Sequence, residues 1–123
     1  MHPYPANFAD LLMKEVSDER ACIVDPLVTD SFIARSAMQK AIRRADCRTA
    51  LRAAATLMEL DPDVIWKRLL VTGLEDIGVG EFAVLAKIVI AQGKRTRHSI
   101  GDDWPIAVAL IRQACRATWS SQG

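Results

Sequence analysis

Apolar residues recur at helical spacing along most of this chain, and three such runs follow one another almost without a gap between residues 31 and 78. In the first run Phe32, Ile33, Ala37, Met38, Ala41, Ile42 and Ala45 return every three to four positions, with Arg35, Gln39, Lys40, Arg43 and Arg44 on the opposite side. That pattern predicts an amphipathic helix, with Thr29 or Asp30 as its cap. Asp46 breaks the pattern and can cap the next helix, which carries Ala50, Leu51, Ala53, Ala54, Leu57 and Met58 and runs to about Leu60. So much alanine predicts close helix–helix approach. Asp61-Pro62 restarts the chain, with Asp as cap and Pro at the first helical position, where a missing N–H costs nothing. Val64, Ile65, Trp66, Leu69, Leu70 and Val71 follow, and the helix is expected to end between Gly73 and Gly80.

The flanks are read in the same way. Residues 1–6 hold two prolines and predict a loose lead-in; Asn7 can cap a first helix with Phe8, Leu11, Leu12 and Val16 on one face. Residues 17–28 predict a connector, extended at Ala21–Val24. A fifth helix is predicted from about Glu81 to Gln92. It is apolar nearly all round, so it belongs in the centre of the core or under a partner subunit. Gly93–Gly101 (GKRTRHSIG) reads as a basic loop, and Asp102 or Asp103 as the cap of a last helix with Pro105 in its first turn. Ser120–Gly123 should fray. The sum is a single all-α domain over residues 1–123, a compact bundle of five or six helices with short loops.

Composition narrows the function more than the fold. The chain has 123 residues, half of them hydrophobic, which is enough for one helical core. The formal charge of +1 gives no global attraction for polyanions, so contact with nucleic acid would need a local basic patch. Cys22, Cys47 and Cys115 are widely and irregularly spaced, and only His2 and His98 accompany them. That spacing predicts reduced, mostly buried thiols rather than a metal site or a disulfide framework. The N-terminus lacks the pattern of a signal peptide, and the longest apolar stretch, Phe82–Ile90, is too short to span a bilayer. A cytoplasmic protein with no membrane contact is the expectation.

Residues 36–78 carry a more specific pattern. The chain reads Ser36-Ala37-Met38-Gln39-Lys40-Ala41-Ile42-Arg43-Arg44-Ala45-Asp46, then Ala50-Leu51 with Ala54, Leu57 and Met58. It continues with Asp61-Pro62, Ile65, Arg68-Leu69 and Glu75-Asp76-Ile77-Gly78. In order and spacing these blocks resemble the C-terminal helical region of the RarA/MgsA-type AAA+ ATPases, relatives of the Werner-helicase-interacting protein. The resemblance covers about a third of the chain. It implies a collar that holds subunits together, like that of clamp-loader ATPases, and it implies an association with DNA replication or recombination. The family's nucleotide site lies in an upstream domain, and residues 1–123 match no phosphate loop. The nearest approach is Gly93-Lys94-Arg95-Thr96, which has Ile88 where the first Gly should stand and Arg95 where Ser or Thr should follow Lys. Beyond Gly80 the family's pattern is lost.

Three functions remain open on the sequence. The first is a non-catalytic interaction or oligomerisation module that self-associates or binds a protein partner, without a cofactor. Its interface is expected on the fourth to sixth helices, through Trp66, Leu70, Phe82, Leu85, Ile88 and Trp119. The second is a small DNA-binding protein using Lys40, Arg43, Arg44, Arg48 and Arg52 with Lys94, Arg95 and Arg97, although a solvated charged face is the commoner meaning of such clusters. Trp66 beside Lys67-Arg68 could then stack a base, against the commoner role of core packing. The third is a metal-dependent enzyme with Glu75, Asp76, Asp102 and Asp103 around one ion. Adjacent α-helical positions point about 100° apart, which disfavours convergence of Glu75 and Asp76. A structural pairing with Arg43, Arg44 or Arg68 is expected for them instead. His98 is expected at the surface.

Overall fold

The computed structural model describes residues 5–19, 22–78 and 81–122. It is all-helical, with seven α-helices and no strand among the described residues. These are α1 (Pro5–Ser17), α2 (Ser31–Arg43), α3 (Cys47–Leu60), α4 (Pro62–Thr72), α5 (Phe82–Ile90), α6 (Lys94–Ile100) and α7 (Asp103–Gln122). A π-helical turn, Gly73–Ile77, continues α4. The helix beyond the expected five or six is α6, where the sequence reads as a basic loop. α1 already begins at Pro5, so Asn7 lies inside it and not at its cap. The fraying expected of the tail does not extend through Ser120, since α7 continues to Gln122. Most of the expected lead-in, together with Ala21, Gly80 and the side chain of Trp119, falls outside the described residues.

Capping explains the firmest boundaries. Asp30 accepts a hydrogen bond from the Ile33 N–H at 2.8 Å, and Asp46 accepts one from the Thr49 N–H at 3.2 Å. Between them the chain turns in three residues. The Asp46 N–H donates to the Ala41 carbonyl at 2.8 Å and the Ala45 N–H to the Ile42 carbonyl at 2.9 Å, a Schellman closure of α2. Ala45 occupies the left-handed position with φ 57°. Asp61 stands at the cap of α4 but makes no side-chain bond there, so Pro62 alone carries that start signal.

The tight corner brings α2 against α3, where Ala34, Ala41, Ala50, Ala53 and Ala54 are buried and permit the close approach expected of them. The central helix is α7. Residues Ile106 to Ile111 are all buried, followed by Ala114, Cys115 and Ala117, and α7 touches each of the other six helices. The central place expected for α5 is therefore taken by α7. α5 buries Val84, Leu85 and Ile88 but leaves Phe82 and Val89 exposed. The connector of residues 22–30 has no regular structure, and bonds to α3 fix it. The Leu27 N–H donates to the Arg52 carbonyl, the Thr56 hydroxyl donates to the Leu27 carbonyl at 2.7 Å, and Arg52 Nε donates to the Asp25 carbonyl at 3.0 Å.

Candidate functional site

The acidic pair sits on the π-helical turn. A Cβ at Gly73 would stand 2.8 Å from Leu85 Cδ2, so a larger residue there would require the Leu85 side chain of α5 to shift. The turn closes with the Gly78 N–H donating to the Gly73 carbonyl at 2.9 Å, and Gly78 takes φ 81°. The wider π turn changes the side-chain directions expected of an α-helix. Both carboxylates now reach one amide: Gln39 Nε2 donates to Glu75 Oε2 at 3.1 Å and to Asp76 Oδ2 at 3.3 Å. Arg43 Nε pairs with Asp76 Oδ1 at 3.1 Å, and Arg68 Nη1 donates to Gln39 Oε1 at 2.8 Å. The structural pairing expected of Glu75 and Asp76 is present for Arg43 directly and for Arg68 through Gln39. Convergence of the two carboxylates, which the α-helical geometry disfavours, occurs as well.

Asp102 and Asp103 do not join this pair. Asp103 accepts from Arg97 Nε at 3.2 Å, and Asp102 lines a separate cavity of about 430 Å³ between α1 and the start of α7. Among the described residues no three His, Cys, Asp or Glu side chains are grouped as metal ligands. The four carboxylates proposed around one ion are thus divided: Glu75 and Asp76 share Gln39, Asp103 pairs with Arg97, and Asp102 lies at the cavity.

The basic set divides. Lys40, Arg44, Arg48, Lys94 and Arg95 are exposed, as is His98. Arg43 is committed to Asp76, and Arg52 holds the connector. Arg97 is a correction: only 4% exposed, it stacks over Trp66 at 4.3 Å and donates to the carbonyls of Ala91 at 2.7 Å and Gln92 at 3.3 Å. It is a core cation and cannot meet a polyanion. Trp66 is buried beneath it, so it offers no face to a base; its indole N–H has no hydrogen-bond partner among the described residues.

The expected interface is corrected too. Of its side chains that the structure describes, Trp66, Leu85 and Ile88 are buried within the monomer, Leu70 is half-buried, and Phe82 is open, resting edge-on against Phe8. These side chains were needed for the core because α7 draws α4 and α5 inward. Leu74 on the π turn and Val89 on α5 are open as well, but the three most exposed large apolar side chains among the described residues, Ile23, Val28 and Phe32, lie elsewhere. Ile23, Val28, Phe32 and Ile33 are 92%, 104%, 68% and 54% exposed along the connector and first turn of α2. Beside them opens a cavity of about 320 Å³ lined by Cys22, Ile23, Val24, Pro26, Ala55, Met58, Glu59 and Trp104. Nothing in the sequence pattern foretold this, since Phe32 and Ile33 count towards an apolar helix face.

The thiols are half-buried at Cys22 and Cys47 and buried at Cys115. The fold joins what the sequence separates. The Cys115 thiol on α7 holds the Cys47 thiol at the start of α3 down to about 7, against burial and with help from Arg112 and Arg116. The same interaction and burial push the Cys115 thiol up. Arg112 also contacts Cys22 Sγ at 3.7 Å and pairs with Glu19 at 2.9 Å. Comparison with protein-family models, curated proteins and solved structures finds no match for this chain.

Proposed function

We propose that this chain is a non-catalytic helical interaction module that associates with a second copy or with a protein partner. One observation carries the reading: the apolar strip Ile23, Val28, Phe32 and Ile33 is exposed yet held in place by the bonds from α3 to Asp25 and Leu27. An exposed apolar strip on a fixed backbone loses little entropy when covered, which favours docking. The resemblance of residues 36–78 to the RarA/MgsA-type collar supports the same role and suggests replication or recombination machinery as its setting.

The test compares the chain with a Val28→Asp/Phe32→Asp variant, both positions being exposed enough to accept charge without unfolding. Light scattering over a concentration series should show association by the parent that the variant loses, or affinity capture should show a protein bound by the parent alone. A parent that stays monomeric and captures the same proteins as the variant sinks the proposal.

A second reading rests on the exposure of Lys40, Arg44 and Arg48 around the corner between α2 and α3, with Lys94 and Arg95 on α6. Nucleic-acid binding through these groups would weaken steeply with salt and vanish on charge reversal at Arg44 and Arg48. A mobility shift insensitive to both changes would dismiss it.

A further inference from the structure

We propose that the outward face of α5 is a self-complementary contact, on which two copies of this chain pair antiparallel about a two-fold axis at Ala86.

The sequence of α5 is FAVLAKIVI, and its one charged residue, Lys87, is turned inward, 6% exposed and held by Glu15 of α1 and Gln113 of α7. Val84, Leu85 and Ile88 are buried with it. The other side carries Phe82, Ala83, Ala86, Val89 and Ile90, and no polar side chain. At about 100° per residue these five positions fall within an arc of about 120°, as wide as the stripe that an amphipathic helix turns to a core. Yet Phe82, beside Phe8, is 58% exposed and Val89 is 57% exposed; Ala83 is open, and Ala86 and Ile90 are half-buried. The helix thus has two apolar sides and packs only one of them into the monomer. A contiguous apolar face left open to water marks a contact between molecules.

The charges at the two ends of the face say what covers it. Glu81 stands at the N-terminal end of α5, and just past its C-terminal end α6 opens with the exposed Lys94 and Arg95. A second copy laid antiparallel sets each Glu81 towards the basic end of the other helix. Parallel pairing would set acid towards acid and base towards base, which is repulsive. The same patch serves both copies, so the assembly closes at two. The small Ala86 at the centre lets the helices approach closely; Phe82 of each copy then meets Ile90 of the other, and Ala83 meets Val89. The contact is small, so the dimer is weak and depends on concentration. This inference extends the reading of the chain as an association module, but on a face other than the strip along the connector and α2, which stays open to a different protein.

Sedimentation equilibrium of the full chain over a wide concentration series tests it. The mass of the parent should rise towards that of a dimer. Ala83→Glu alone and Val89→Lys alone should each weaken the dimer at least about tenfold, because each covers a charge without a partner. The double variant Ala83→Glu/Val89→Lys should recover most of that loss, because antiparallel pairing sets each new acid against a new base. Neither a mere loss of packing nor a parallel pairing would be rescued in this way. Both positions are open to water, so the variants should stay folded, which circular dichroism checks; if one unfolds, the other and the mass of the parent still decide. A parent that remains monomeric overturns the proposal and leaves the strip to be judged by affinity capture. A double variant no better than either single one overturns it too. So does a dimer that Val28→Asp/Phe32→Asp abolishes and the α5 variants leave intact, since the strip would then be the interface.

Discussion

The guanidinium of Arg97 lies 4.3 Å from the centre of the Trp66 ring, in the buried space where α4 meets α6. The contact ties a residue of a basic segment to the core and turns GKRTRHSIG from a loop into a helix. Stacking, two backbone carbonyls and Asp103 together satisfy the buried cation. Arg97→Ala should cost about 2–4 kcal/mol, because it removes a desolvated cation–π contact and strands the acceptors around it. Arg97→Lys keeps the charge but not the planar fork and should recover only part of that loss. Urea denaturation of both variants measures this; a cost below about 0.5 kcal/mol for Arg97→Ala would show that the stack contributes nothing.

The corner between α2 and α3 offers a gain in stability. Ala45 holds φ 57°, where its Cβ crowds the following carbonyl. Ala45→Gly should stabilise by about 0.5–1 kcal/mol, the relief of strain exceeding the added freedom of the unfolded chain. Thermal unfolding would register a higher midpoint, and a lower one would mean that strain at this position is negligible.

Asp46→Ala should cost about 1 kcal/mol through loss of the cap. Hydrogen bonds from Thr49 hold the Asp46 carboxyl below its ordinary 3.8. Its contribution is therefore complete above that value and is lost as pH falls through the lower folded-state value. Asp46→Asn, which cannot titrate, should lose less stability between pH 5 and pH 2 than the parent does. Equal acid sensitivity would assign the effect to other carboxylates.

Gln39 separates two carboxylates that would otherwise repel. Its amide donates to Glu75 and Asp76 while its oxygen accepts from Arg68. Gln39→Glu replaces the donor with a third negative charge, so the fold should weaken by about 1–3 kcal/mol at neutral pH. Acid should reverse part of this loss, because the introduced carboxyl can donate again once it is protonated. A variant whose deficit is the same at pH 4 and pH 7 would rule out the bridging role.

Helical periodicity and aspartate caps were sufficient to read α2 and α3 from sequence, since Asp30 and Asp46 act locally and the apolar stripe faces one way. Three features depended on contacts distant in sequence. α6 has one buried apolar residue, Ile100, and its other buried anchor is an arginine, so its polarity resembles that of a loop. The π turn at Gly73–Ile77 lies where the Leu85 side chain of α5 packs against Gly73, and the direction of Glu75 and Asp76 follows from the turn. The influence of Cys115 on Cys47 arises only because α7 packs against α3, which no spacing rule for cysteines captures. α5 is the more apolar of the two candidate central helices, whereas α7 also carries Arg112, Gln113 and Arg116. The greater length of α7 lets it touch every other helix, and that settles which of them is central.

Lys87 is a buried cation whose removal should be milder than the removal of its partner. Its ammonium is 3.0 Å from Glu15 Oε1 on α1 and 3.0 Å from Gln113 Oε1 on α7, and the residue is 6% exposed. Glu15→Ala leaves that charge inside with one neutral acceptor. Because Glu15 is itself partly open to water, the cost should be about 1–3 kcal/mol, below that of a fully buried pair. Lys87→Met keeps the aliphatic volume and abolishes the desolvated charge, while water can reach the released Glu15 carboxylate. That variant should fall within about 1 kcal/mol of the parent. The double variant should resemble Lys87→Met alone, because no charge then remains to be stranded. Chemical denaturation of the three proteins fixes the order, and Lys87→Met proving the weaker single variant would show that the ion pair, rather than the packing of α1 on α5 and α7, stabilises this junction.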